Sequence, residues 1–254
     1  MLNKKIKINR IIGICSFAIT IWGWGSLGAI AQTQNIAQAS RSNNTSSNNH
    51  GLPNYREAGG SRGTCIANGN NLIALIPENP ANNVNITASN NPKLFFYVPE
   101  TTEQKTIEFV LRDQNDQLVH EVFLQTTGQE GIINVEIPQD ISQSLGQSDS
   151  NYHWYLSMIC DDQKRARDLV LEGWIGYIEL DNSVKQKLEN FSPTEKANFY
   201  QQKGIWYDAL SVVAEDTNQI IDSSSTEKWS EMLDSIGLSK LSAQPFIDGK
   251  VIEE

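Results

Sequence analysis

From Cys65 to Leu180 apolar and polar residues alternate with period two, in short runs separated by turn residues. Leu72-Ile73-Ala74-Leu75-Ile76 stops at Pro77, and Leu94-Phe95-Phe96-Tyr97-Val98 stops at Pro99. Ile107, Phe109 and Leu111 alternate with Glu108, Val110 and Arg112, then Asp113-Gln114-Asn115-Asp116-Gln117 reads as a hairpin turn into Val119–Leu124. Ile133–Ile137 follows, halted by Pro138. Tyr152, Trp154, Leu156, Met158 and Cys160 share one face of the next run, and Leu169 to Leu180 supplies the last. Seven short strands with no helical stretch between them predict an antiparallel β-sandwich of immunoglobulin-like (Ig-like) type over residues 51–180.

At Asp181 the period lengthens. Val184, Leu188 and Phe191 are spaced for one face of a short helix. Ser192-Pro193-Thr194-Glu195 then combines an N-cap serine, a first-turn proline and a glutamate three residues after the cap, which predicts a helix running to Lys203 and broken at Gly204. Ile205, Ala209, Val212 and Val213 mark another; Trp229, Met232, Leu233 and Ile236 mark a fourth, ended by Gly237. Residues 181–254 therefore form a helical region, giving an α+β chain overall. Gly204-x-Trp206-x-Asp208-Ala209-Leu210, with Tyr200 ahead of it, resembles the centre of a tetratricopeptide hairpin. The later alanine and closing proline of that repeat are missing, and an ordinary helical hairpin accounts for the same residues.

The N-terminus has a different character. Lys4, Lys5, Lys7 and Arg10 precede an uncharged, apolar run from Ile11 to Ile30, and Ala29-Ile30-Ala31 supplies a small-x-small exit. These are the parts of a secretory signal peptide, residues 1–31, with cleavage expected after Ala31 and Ala37-Gln38-Ala39 as a second exit. The run is long enough that an uncleaved anchor is the alternative. Cys15, preceded by Ile14, is a poor lipid-attachment site. Residues 32–50, rich in Asn, Ser and Gln, predict a disordered linker spanning roughly 25 Å as a flexible coil.

Export changes the meaning of the cysteines. Without Cys15 the chain keeps Cys65 and Cys160, and two thiols in an oxidising space predict one disulfide. Closing a loop of about 95 residues restricts the unfolded chain by roughly 4–5 kcal/mol. A net charge of −10, with every charge of the leader positive, excludes a nucleic-acid partner, which would need clustered Lys and Arg. No membrane span is expected after signal cleavage.

Several strings taken together resemble a known family. Gly51-Leu52-Pro53, Arg56-Glu57, Gly59-Gly60-Ser61-Arg62-Gly63-x-Cys65, Ala74-Leu75-Ile76-Pro77-Glu78, Phe96-Tyr97-Val98-Pro99, Tyr152-His153-Trp154-Tyr155, Ile159-Cys160-Asp161, Glu172-Gly173-Trp174-Ile175 and Gly204-Ile205-Trp206-Tyr207-Asp208-Ala209-Leu210 come in the order of the cyanobacterial family called domain of unknown function 928. Ala58 stands where that family often has a third glycine, and Asp162 where proline is common. The resemblance, over about residues 51–245, implies a cyanobacterial exported protein and brings no mechanism with it.

Candidate chemistry is sparse. Arg56, Glu57 and Arg62 among glycines could cradle an anion on turned backbone. The competing reading is a clasp whose arginines pair with the acidic body. His153 and Tyr155 share one strand face, and His153 with Asp161, Asp162 or Glu172 could form an acid–base group. No strained-turn nucleophile accompanies it. Asp113, Asn115 and Asp116 resemble part of a calcium loop but lack its glycine and final glutamate, so a turn explains them. Trp174, Trp206, Trp229, Tyr177 and Tyr207 read as core rather than as a sugar-stacking array. No catalytic residue, cofactor or metal is assigned. The leading reading is a non-catalytic envelope protein that binds a protein partner, with Arg56, Glu57, Arg62 and His153 as candidate contacts. A cell-surface glycan- or polymer-binding module is the alternative, and an unrecognised hydrolase ranks below both.

Overall fold

A computed structural model describes residues 56–58, 65–78, 83–145, 151–219 and 223–252, all within the unit Asn48–Glu254. The signal-peptide and linker expectations, and Arg62, lie outside the described residues.

In chain order the elements are β1 (Ile73–Ala74), β2 (Val84–Thr87), β3 (Lys93–Val98), β4 (Thr106–Arg112), β5 (Leu118–Gln125), β6 (Gly131–Glu136), α1 (Gln139–Leu145), β7 (Tyr152–Met158), β8 (Leu169–Tyr177), α2 (Asn182–Glu189), α3 (Pro193–Gln202), α4 (Trp206–Gln219), α5 (Ser223–Ser235) and β9 (Lys250–Ile252). The fold is mixed α and β, with a three-stranded sheet ordered β1-β3-β6 and a six-stranded sheet ordered β2-β8-β7-β4-β5-β9.

Each expected alternating run contains a strand. Along β4, burial alternates residue by residue, with Ile107, Phe109 and Leu111 fully buried. Trp154, Leu156 and Met158 on β7 and Leu171 and Ile175 on β8 continue that apolar face across the sheet. The smaller sheet meets it where Phe96 packs edge-on against Trp154, centroids 5.5 Å apart. The β4–β5 turn is held by the Asp113 carboxylate, which accepts from the N–H groups of Asn115 and Gln117. That is the turn chemistry expected of this segment.

Three features depart from the sequence-based expectation. Strands β1 and β8 are shorter than the apolar runs that predict them. Cys65 and Cys160 lie in a turn and a bend beside strands, not within them. The sheets are not wholly antiparallel, because β2 runs parallel to β8. Strands β2 and β9 and helix α1 carry too little periodic apolar sequence to predict: four residues, three exposed residues, and a helix with two aliphatic positions.

The cysteines are joined, Cα atoms 5.3 Å apart across 95 residues of sequence. The bond links the chain entering β1 of the smaller sheet to the chain leaving β7 of the larger. Cys160 is oriented by its N–H, which donates to Asp168 at 3.1 Å, while Asp168 also accepts from Arg165. That carboxylate and Glu108 hold the guanidinium's pKa well above its usual range.

The helices follow from their caps. Ser192 accepts from the Glu195 N–H, and the Glu195 carboxylate accepts from the Ser192 N–H, a complete capping box for α3. Helices α3 and α5 end in left-handed glycines, Gly204 and Gly237. The next residue's N–H returns to the Tyr200 and Leu233 carbonyls respectively, the double-bonded helix stop that favours glycine. Helix α4 packs on both β2 and β3, one strand from each sheet. No described helix is long and apolar enough to cross a membrane.

Candidate functional site

Arg56 is buried, 8% exposed, and committed to its own fold. Its Nη1 donates to the Ile236 carbonyl at 2.7 Å, at the end of α5, and its Nη2 meets the Glu78 carboxylate at 2.5 Å. A cation on the last carbonyls of a helix satisfies acceptors the helix leaves open. Arg56 thus pairs with a carbonyl and a carboxylate of its own chain. Glu57 is exposed, bridged through its backbone to Ile73.

Three consecutive residues at the start of α4 reach three different strand segments. The Trp206 Nε1 donates to the Leu75 carbonyl at 2.8 Å, next to β1. The Trp154 Nε1 on β7 donates to the Tyr207 hydroxyl at 3.0 Å. Asp208 accepts from the Thr87 hydroxyl at 2.7 Å and the Ala88 N–H at 3.0 Å, at the end of β2. Burial pushes the Asp208 carboxyl up to about 6, partly opposed by those hydrogen bonds. Burial likewise raises the Tyr207 phenol. The most distinctive strings of the sequence, around Trp154 and Tyr207, thus meet each other inside the protein. Trp206, Tyr207 and Trp229 are core residues.

The other face of the same strands carries the chemically mixed cluster. Register places His153 opposite Trp174 and Arg112, and Tyr155 opposite Glu172 and Val110. The His153 ring stacks on Trp174, centroids 4.2 Å apart and planes 11° off parallel. Its Nδ1 shares a hydrogen bond of 2.8 Å with the Tyr155 hydroxyl. Its Nε2 lies 3.1 Å from a Glu172 oxygen, outside directed hydrogen-bond geometry. Burial lowers the His153 pKa, against the opposing field of Asp116, and raises those of Glu172 and Tyr155. All three shifts favour the neutral group. Of the three carboxylates considered for His153, Glu172 is the one beside it; Asp161 pairs with Arg167.

This rung of Arg112, His153, Tyr155, Glu172 and Trp174 can present aromatic faces, a guanidinium and a carboxylate from rigid strands. It lines neither of two concavities that lie elsewhere among the described residues. One, of about 530 Å³, opens between β1 and the chain following α5. The other, of about 260 Å³, lies between β5, β6 and the segment before β9. Sequence reasoning missed the larger cleft because its polar rim joins isolated residues from positions 57–71 and 237–244, which no local pattern connects. No group of three or more His, Cys, Asp or Glu among the described residues is arranged to hold a metal ion.

Comparison with known proteins agrees with the strings quoted above. A family described as Domain of Unknown Function (DUF928) matches residues 57–246. No curated protein and no solved structure matches the chain. The matched span takes in every element from β1 to α5, including the Trp154–Tyr207 contact, and the chain belongs to the DUF928 family.

Proposed function

We propose that the protein is an exported, non-catalytic binding module of the cyanobacterial cell envelope that engages another envelope protein. In this reading residues 1–31 direct export and are removed after Ala31, and residues 32–50 are a spacer. An Ig-like β-sandwich of residues 51–180, with a cap of residues 181–254 containing a tetratricopeptide-like hairpin, serves as scaffold in the periplasm or outside the cell. The basic-then-apolar leader and the Cys65–Cys160 disulfide support the compartment.

The observation that carries the binding role is the composition of the outer rung. Tyr155, Trp174 and Arg112 stand half-buried on adjacent strands, and these are the residue types that anchor protein interfaces. The strands are held from behind by the core, so the contact surface is formed in advance and loses little entropy on binding. Burial keeps His153 toward its neutral form, which suits a packed contact more than proton transfer. Arg56, by contrast, serves the scaffold.

A photo-reactive residue placed at Tyr155 in the producing cell tests this. It is expected to cross-link one discrete protein, with the product lost on Arg112→Glu and absent when the label sits at Lys185. Equal labelling from both positions, or none from Tyr155, removes the role assigned to this face. A second reading, glycan binding, is favoured by a different observation, the polar cleft between β1 and the chain after α5.

A further inference from the structure

The geometry points to the cleft between β1 and the chain after α5 as a binding site for a short, neutral, polyhydroxylated ligand, an oligosaccharide segment. Its volume of about 530 Å³ falls within the roughly 300–1,000 Å³ of small-molecule sites. The rim carries three carboxamides, Asn70, Asn71 and Gln244, with the Ser239 hydroxyl and one charge of each sign, Glu57 and Lys240. Amides and hydroxyls donate and accept at once, as sugar hydroxyls do. Among the lining residues the two charges offset each other, and the Glu130 carboxylate behind the wall is taken up by Tyr97 and Asn70.

One wall is organised before any ligand arrives. The Tyr97 hydroxyl, from β3, donates to Glu130 at 2.6 Å and accepts from the Asn70 amide at 3.2 Å. Burial, with the Glu130 carboxylate, pushes the Tyr97 phenol up to about 12, so the phenol keeps its proton across the working pH range. The NH2 group of Asn70 is held on this pair at the cleft wall. The opposite wall is set by the helix stop at Gly237, after which Leu238 and Leu241 are buried and Ser239 and Lys240 turn outward. Partly exposed Ile73, with the edges of Leu238 and Leu241, supplies a small apolar surface for the C–H groups of a sugar ring. The Tyr97 ring, 1% exposed, offers no stacking platform, so affinity rests on hydrogen bonds and is modest.

The test uses the disulfide-linked protein and three probes: cellotriose, maltotriose and chitotriose. In NMR titrations at least one is expected to shift the side-chain amide signals of Asn70, Asn71 and Gln244 saturably. Lys240→Ala or Gln244→Ala, both at the solvent-facing rim, is expected to weaken that sugar about tenfold, while Lys185→Ala leaves it unchanged. If no trisaccharide moves these signals, or a sugar binds elsewhere with the rim variants unaffected, the inference is overturned. A response to trialanine or to sodium phosphate in place of the sugars overturns it too, in favour of a peptide or an anion. Cross-linking from Tyr155 reports on the opposite role and neither result decides the other.

Discussion

Trp154 and Tyr207, 53 residues apart in sequence, are joined by a 3.0 Å hydrogen bond between two side chains with almost no exposure. Each comes from a distinctive string of the chain, and each string otherwise reads as a separate element, a strand and a helix. The bond fixes the helical region to the centre of the larger sheet.

The bond should behave as a coupled pair. Trp154→Phe leaves the Tyr207 hydroxyl without its donor, and Tyr207→Phe strands the indole N–H, so each is expected to cost about 1–3 kcal/mol. The double variant is expected to cost less than the sum of the two, since neither member of the Trp154–Tyr207 pair is then left without the other, although the Trp174 carbonyl still loses the hydroxyl at 3.5 Å. Urea unfolding of all four proteins checks this; strictly additive losses would mean the contact carries no coupling.

Arg56 should be a stability residue. Arg56→Ala is expected to cost about 2–3 kcal/mol by removing a charged donor from the Ile236 carbonyl. Arg56→Lys should recover only part, because one ammonium cannot replace a fork that serves Ile236 and Glu78 together. Glu78→Gln, at an exposed position, should change stability by about 0.5 kcal/mol or less. Thermal unfolding of the three variants separates helix-end capping from a surface ion pair.

Asp208 predicts a pH signature. Its carboxyl is pushed from 3.8 to about 6 in the folded protein, so the fold binds that proton more tightly than the unfolded chain does. The resulting stability is fully present below pH 3.8 and is lost as pH rises through about 6. Asp208→Asn removes the effect while keeping an oxygen to accept from Thr87 and Ala88. Relative to wild type, the variant is therefore expected to gain on the order of 3 kcal/mol between acid and neutral pH. A stability difference that stays flat across this range would contradict the assignment.

The sequence made the strands legible because β4, and β7 from Trp154 onward, bury alternate residues, and α3 legible because Ser192 and Glu195 cap it. It could not show β2 or β9, whose pairing depends on distant strands. The same limit governs the sites. His153 and Tyr155 were readable as neighbours on one face, but the choice of Glu172 over Asp161 is set by the register of β8. Arg56 sits among glycines that suggest a ligand loop, yet its partner, the Ile236 carbonyl, lies 180 residues away. A long-range contact to backbone leaves no mark in local sequence.

The proposed binding role requires the chain to work outside the reducing cytoplasm as a cross-linked scaffold. The intact mass of the native protein, taken from the exported fraction of the producing cell and compared before and after reduction, tests this most directly. The expected species begins at Gln32 and gains two hydrogens on reduction, the mark of one Cys65–Cys160 bond. A species still carrying Met1, or one whose two cysteines are free before reduction, would contradict it.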